Sequence, residues 1–189
     1  MNKTQITLTL PEGSFFTYVD CFYEIDREKL LKIYNLWIIL SNSTQELGGR
    51  RINLPEILSE GAFCLEMNMV RITENIPNAN TSFDAYSLFS KKRIQIKAAS
   101  VTPDLTSFGP NSEWDELYFV DFSRLDGTFD IYLIPSEYIY SMPVNQNETM
   151  YQQQQKGKRP RFSIYNKIIL EYNLVPQFRG NLNPPIFIN

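Results

Sequence analysis

The chain has 189 residues, with 21 Asp and Glu against 18 Lys and Arg for a net charge of −3, and 43% of it is hydrophobic, yet it contains no histidine. That length suits one domain with a real core. The missing imidazole excludes histidine-based triads, histidine-ligated zinc and histidine-type nucleases, so any catalysis must run on carboxylates, amides and lysine, with or without a metal.

The opening segment "MNKTQITLTLPEG" shows some alternation and lacks the charged, apolar and small layout of a secretory signal, so export is not expected. The two cysteines, Cys21 and Cys64, form no metal-knuckle spacing and read as reduced thiols of a cytoplasmic protein. No apolar run approaches the roughly 18 residues that span a bilayer. Asp26 is placed to cap a helix through "REKLLKIYNLWIILSNSTQELGG", where Leu30, Tyr34, Trp37, Ile38 and Ser41 keep helical spacing and Gly48 stops it. A second helix is signalled by "NLPEILSEGAFCLEMNMVR", with Asn53 as the expected N-cap and Leu54, Leu58, Gly61, Leu65 and Met69 as its stripe. Glu60 lies beside that stripe, with Glu56 and Glu66 as alternatives for an inward carboxylate.

After the loop "IPNANT", the segment "SFDAYSLFSKKRIQIKAAS" (Ser82 to Ser100) has the pattern of a β-hairpin. Phe83 and Ala85 alternate with Asp84 and Tyr86, and Ile94, Ile96 and Ala98 alternate with Gln95 and Lys97. A turn within Leu88 to Lys91 sets Asp84 opposite Gln95, so Asp84, Gln95 and Lys97 converge on one face. A carboxylate and an amide oxygen there, with the Ile96 carbonyl, can hold a hard divalent ion, and the lysine can stabilise developing charge. The bland alternative is a solvated hairpin face.

Two more strands, "ELYFVDFSR" and "TFDIYLIP", flank the tight turn "LDG", which extends the hairpin into an expected antiparallel meander. "NQNETMYQQQQKGKRPR" reads as a long exposed, polar and basic loop at about 145–162, and "SIYNKIILEYNLVP" returns to helical spacing. Positive charge gathers at Arg50 and Arg51, at Lys91, Lys92 and Arg93, and at Lys156, Lys158, Arg159 and Arg161. Asp104 in "TPDLTSFGP" fits either a turn or a recognition loop, and Trp114 with Asp115 reads as packing.

An aspartate on one strand followed by an acidic or amide residue, any residue and lysine on the next resembles the PD-(D/E)xK nuclease superfamily; here it stands as Phe83-Asp84 and Gln95-Ile96-Lys97. With "RIQIKAASVTPDLTSFGP", "WDELYFVDF", "GTFDIYLIP" and "KRPRFSIYNKII", the chain is similar to small type II restriction endonucleases, among them the group that cuts GCNGC sites. The resemblance runs from about Glu60 to Asn173. It implies an α/β fold, a single nuclease domain over 1–189 whose mixed sheet of about four to five strands is flanked by helices.

It further implies Mg²⁺-dependent, sequence-specific hydrolysis of double-stranded DNA by a homodimer. Asp84, Gln95, Ile96 and Glu60 would hold the ion beside Lys97, and Lys91, Lys92, Arg93, Asp104, Lys156, Lys158, Arg159 and Arg161 would contact DNA. The departure from the pattern is Gln95, a neutral amide where the family usually carries an acid. A structure-selective nuclease of the same fold and a noncatalytic nucleic-acid-binding module are the competing expectations.

Overall fold

The computed structural model describes residues 1–183. The last six residues of the expected 1–189 domain lie outside the described residues. The N-terminal alternation resolves into a hairpin, β1 (Asn2–Leu10) and β2 (Gly13–Cys21), in register from Asn2 opposite Cys21 to Leu10 opposite Gly13. Leu8, Leu10 and Val19 bury one of its faces against Val70, Ile72, Phe83 and Tyr86.

A short 3-10 turn (Glu24–Asp26) leads into α1 (Arg27–Glu46), which buries Leu30, Tyr34, Trp37 and Ser41 as its spacing predicts. Asp26 does not cap α1 through its own side chain. Its carboxylate instead accepts from the Tyr23 N–H at 3.1 Å and from the chain's N-terminal amine, closing the turn that precedes the helix. The second helix, α2 (Glu56–Met67), starts later than the Asn53 expectation. Proline forces the residue before it out of helical geometry, so Pro55 is the N-cap, its carbonyl accepting from the N–H groups of Leu58 and Ser59. Asn68, in the left-handed region at φ 50°, ends α2.

The sheet has eight strands where four to five are expected. Beyond β1 and β2 come β3 (Val70–Arg71), β4 (Ala85–Tyr86) and β5 (Arg93–Ala99) in antiparallel order. The chain then detours through β6 (Thr106–Ser107) before β7 (Glu116–Asp121), β8 (Thr128–Ile134) and, further on, β10 (Phe178–Asn181). The expected meander is interrupted, because β7 lies parallel to β5, with Ile94 beside Glu116 and Ala99 beside Asp121. A parallel pair needs a crossover, and Ser100 to Asp115 supplies it. The β7/β8 hairpin forms around "LDG" as expected, with Leu125 and Gly127 at positive φ.

Both faces of the β5, β7 and β8 part of this sheet are covered. Tyr118, Val120, Phe129 and Ile131 pack with Ile94, Ile96 and the inner faces of α1 and α2. The alternate residues Leu117, Phe119, Tyr132 and Ile134 pack with Phe108, Trp114, Ile139, Met150, Phe162 and Ile168. Part of this second layer is built from the 145–162 segment expected to be a loop. The layer contains α3 (Ser136–Ser141), α4 (Met150–Gln155), β9 (Arg161–Phe162) paired with β6, and a π-helical turn (Tyr165–Leu170), of which that segment supplies α4 and β9. Thr149 and Gln152 form a reciprocal capping box at the start of α4, and fully buried Met150 anchors it.

A candidate active site in the cleft beside the hairpin

The Ser82–Ser100 hairpin forms as its alternation predicts. Ala85 pairs with Ile94 and Tyr86 with Arg93, while the Ser87 N–H donates to Lys92 and the Lys91 N–H to Ser87, leaving Leu88 to Lys91 as the turn. That register sets Asp84 opposite Gln95, and the Gln95 amide Nε2 donates to Asp84 Oδ2. The Ile96 N–H donates to the same oxygen at 2.7 Å, which aims the carboxylate along β5. The polar face does not point into water. Gln95 is 3% exposed because its strand face is roofed by the second layer. The Lys97 ammonium lies 5.7 Å from the centre of the Phe108 ring.

Glu60 projects from α2 toward this hairpin and accepts from Arg71 Nε of β3 at 2.5 Å. Arg71 also faces Asp20 of β2, its Nη1 standing 3.7 Å from Asp20 Oδ2. Glu60, Asp84, Ile96 and Lys97 line one cleft of about 550 Å³, together with Arg51, Glu56, Ser59 and the crossover residues Ser100 and Asp104 to Ser107. Of the three helical glutamates, Glu56 and Glu60 line the cleft, while Glu66 is engaged by Arg27 at 2.6 Å.

Burial dominates the electrostatics here. It lifts the Glu60 carboxyl to about 7, with the neighbouring Asp84 charge adding to the rise and Arg71 opposing it. Asp84 is raised by burial, against the Ile96 hydrogen bond and the Lys97 charge. Lys97 is lowered by burial, against attraction from Asp84 and Glu60. Three ionisable groups whose values are displaced toward neutrality thus share one cleft, a pattern that clusters at functional sites.

The expected DNA-contacting residues divide. Arg93 is buried and clamps Asp115, with Nη2 to Oδ1 at 3.0 Å, and it also reaches Glu113 at 3.0 Å, so it locks β5 to the segment before β7. Lys92 pairs with Glu116 at 2.5 Å, whereas Lys91 stays exposed at the hairpin tip. Asp104 is 5% exposed and accepts from the Thr106 and Ser163 hydroxyls and from the N–H groups of Ile164 and Tyr165. It stitches the crossover to the π-helical turn, leaving that carboxylate occupied rather than free to meet DNA. Lys156 and Lys158 both close on Glu148, at 2.7 and 3.0 Å, and hold its carboxyl down at about 2. Arg159 and Arg161 are exposed and unpaired among the described residues; Arg161 stands opposite Ser107 of the cleft wall.

The residue that sequence reasoning missed is Arg71. Its only local signal is the brief "VRI" alternation, and its importance comes from a contact across the sheet to α2. Arg51 stands in the cleft wall with its guanidinium 5.9 Å from the centre of the Trp37 ring.

The cleft gathers carboxylates and a lysine beside the central strands of a mixed sheet, with Arg51 in its wall, and comparison with known proteins supplies the class. Residues 22–171 match the Bsp6I restriction endonuclease family, so the chain belongs to that family of type II restriction enzymes, which are site-specific deoxyribonucleases. It is 35% identical to the type II restriction enzyme Bsp6I of Bacillus sp. (strain RFL6) over 158 residues, covering 80% of this chain and 87% of that protein. No solved structure matches it.

Proposed function

We propose that the cleft hydrolyses phosphodiester bonds of double-stranded DNA with Mg²⁺, and that its site is a PD-(D/E)xK site in which Gln95 replaces the second acid. The observation that carries this reading is the convergence of Asp84, Glu60 and Lys97 on one cleft, with buried Gln95 bonded to Asp84 at its wall. The donor set fits the ion. Two carboxylates, an amide oxygen and the Ile96 carbonyl are the hard oxygens Mg²⁺ prefers, and a cation favours the ionised forms that burial disfavours at Glu60 and Asp84. Among the described residues no group of three or more His, Cys, Asp or Glu side chains is arranged for a metal, so the set relies on those amide and carbonyl oxygens and on water.

When bound, the ion supplies charge neutralisation at a phosphate oxygen. The chain's own residues do the rest. Asp84, fixed by the Ile96 N–H, would hold the ion in place relative to β5. Gln95 uses its amide N–H to hold Asp84, which leaves its oxygen for the site; a glutamate could not make that contact while ionised. Lys97, half-buried and with its proton made easier to lose, stabilises the charge that builds as water attacks in line. Arg71 keeps Glu60 pointed into the cleft. Arg51, Arg159, Arg161 and Lys91 are the cations left to meet phosphates or guanine edges.

The partner is a symmetric duplex, with GCNGC as the first sequence to test, and the products carry 5′-phosphates. A homodimer places one such cleft on each strand. Single-turnover cleavage of plasmid DNA in Mg²⁺ checks the site: Asp84→Ala and Lys97→Ala lose cleavage by about a hundredfold or more while keeping the native circular dichroism spectrum. Full activity in both variants removes this cleft from contention. Discrete cleavage bands from mixed-sequence DNA separate this reading from a structure-selective nuclease.

A further inference from the structure

Arginines drawn into this fold close on carboxylates. Arg27 reaches Glu66 at 2.6 Å, Arg71 reaches Glu60 at 2.5 Å, and buried Arg93 reaches Asp115 at 3.0 Å. Half-buried Arg51 breaks the pattern. Its Nη1 is shut off from solvent without a hydrogen-bond partner, and among the described residues no carboxylate stands within ion-pair distance of its guanidinium. A cationic donor withdrawn from water and left unpartnered is costly, so such a group in a native fold points to a ligand that completes it.

Local structure holds the guanidinium in place. α1 ends at Glu46, and the strap that follows as far as Pro55 contains neither helix nor strand. Trp37, on the buried face of α1, pins this strap: its indole N–H donates to the Ile52 carbonyl at 3.0 Å. The guanidinium carbon of Arg51 then stands 5.9 Å from the centre of the same ring. An arginine held against an aromatic face keeps the N–H donors along its planar edge available for an anion.

The cleft gives the ligand its class. Arg51 lines the same walls as Glu60, Asp84 and Lys97. The buried carboxylates there already have donors: Glu60 has Arg71, Asp84 has Gln95 and the Ile96 N–H, and Asp104 has two hydroxyls and two backbone N–H groups. Glu56, exposed at the start of α2, also lines the cleft and is not paired with Arg51. What enters this cleft in the proposed reaction is a DNA backbone, whose phosphates project outward while the base edges lie recessed in the grooves.

We infer that Arg51 is the phosphate anchor of the cleft, a binding residue whose free Nη edge takes a backbone phosphodiester of the bound duplex and so sets the strand against Lys97 and Asp84. The inference rests on the proposed nuclease reading, in which Arg51 meets phosphates or guanine edges, and assigns it to phosphate. Two charge-assisted N–H···O bonds suit that pairing, since the guanidinium fork matches phosphate geometry.

Fluorescence anisotropy of labelled duplex DNA without divalent metal reads binding apart from cleavage. Arg51→Met keeps the side-chain stem and removes the donors; it is expected to bind at least about tenfold more weakly, by a similar factor on duplexes of different sequence, with the salt dependence reduced by about one phosphate contact. Denaturant unfolding of the free protein should place this variant at or above the wild-type midpoint, because the wild-type Nη1 has no partner to lose. Wild-type affinity in Arg51→Met, or a loss confined to duplexes of one sequence, overturns the inference. Should Arg51→Met fail to fold, Arg51→Lys decides: it keeps the charge without the planar fork, so several-fold weaker binding is expected and wild-type affinity overturns the anchor. Asp84→Ala is expected to show the same dependence on Arg51, so loss of the nuclease reading and loss of this anchor are read separately.

Discussion

Two stretches that carry charged and amide side chains, the Ser82–Ser100 hairpin and the Glu148–Arg161 arm, meet opposite fates in the fold. The hairpin carries Asp84, Gln95 and Lys97 inward. Gln95 is nearly sealed, Asp84 is held by two donors, and Lys97 lies against Phe108. The arm closes part of its charge on itself, Glu148 taking both Lys156 and Lys158, and leaves Arg159 and Arg161 outside. Burial is what separates them. A charge kept away from water has its protonation shifted and its field strengthened, whereas an exposed ion pair is screened and contributes little to stability.

The contrast is expected to break most visibly at Asp84 and Lys97, where alanine should lower cleavage by about a hundredfold or more. Next in size is the pH dependence at Glu60. Its folded value of about 7 lies above the ordinary 4.5, so the native state holds the proton more tightly than the unfolded chain. Stability then falls as pH rises from about 4.5 to about 7, and the full penalty of up to about 3 kcal/mol remains above that window. Glu60→Gln lacks the penalty. Denaturant unfolding without divalent metal is expected to show no gain for the variant near pH 4 and a gain approaching that size at pH 8. An equal difference at both values would sink the assignment.

Gln95→Glu sharpens the same comparison. It replaces the donor facing Asp84 with a second buried carboxylate, which costs about 1–3 kcal/mol in the metal-free protein. Thermal melts should show that loss, and Mg²⁺ should restore more stability to this variant than to the wild type.

In the arm the effects are smaller and appear in binding. Arg159→Ala and Arg161→Ala are each expected to weaken DNA affinity and to reduce the dependence of affinity on salt by about one phosphate contact. Lys156→Ala and Lys158→Ala, whose partners lie within the arm, change affinity less and stability by under about 0.5 kcal/mol. Equal salt slopes across all four variants would erase the distinction between the engaged and the free cations.

How much of this was legible follows from the range of each interaction. The hairpin register could be read because alternation and turn position are local, and they set Asp84 opposite Gln95. The first helix was legible for the same reason, down to its buried Leu30, Tyr34 and Trp37. The start of α2 was misread at Asn53 although Pro55 was visible, because a preferred capping residue was weighed above the constraint that proline puts on its neighbour. The arm was misread as a loop because its polarity hid a Thr149-x-x-Gln152 capping box and one buried methionine.

Family membership rests on matched sequence, and the sequence by itself also determined the absence of imidazole chemistry, the hairpin and the meeting of Asp84 with Gln95. Tertiary structure alone decided that the sheet has eight strands, that β7 runs parallel to β5, that Arg71 holds Glu60, and that Arg93 and Asp104 hold the fold together. It also decided that the polar face of the hairpin is roofed. The reason is physical: period and capping act within a few residues, whereas burial, and with it the charge state of every group in the cleft, depends on what distant segments bring to cover it.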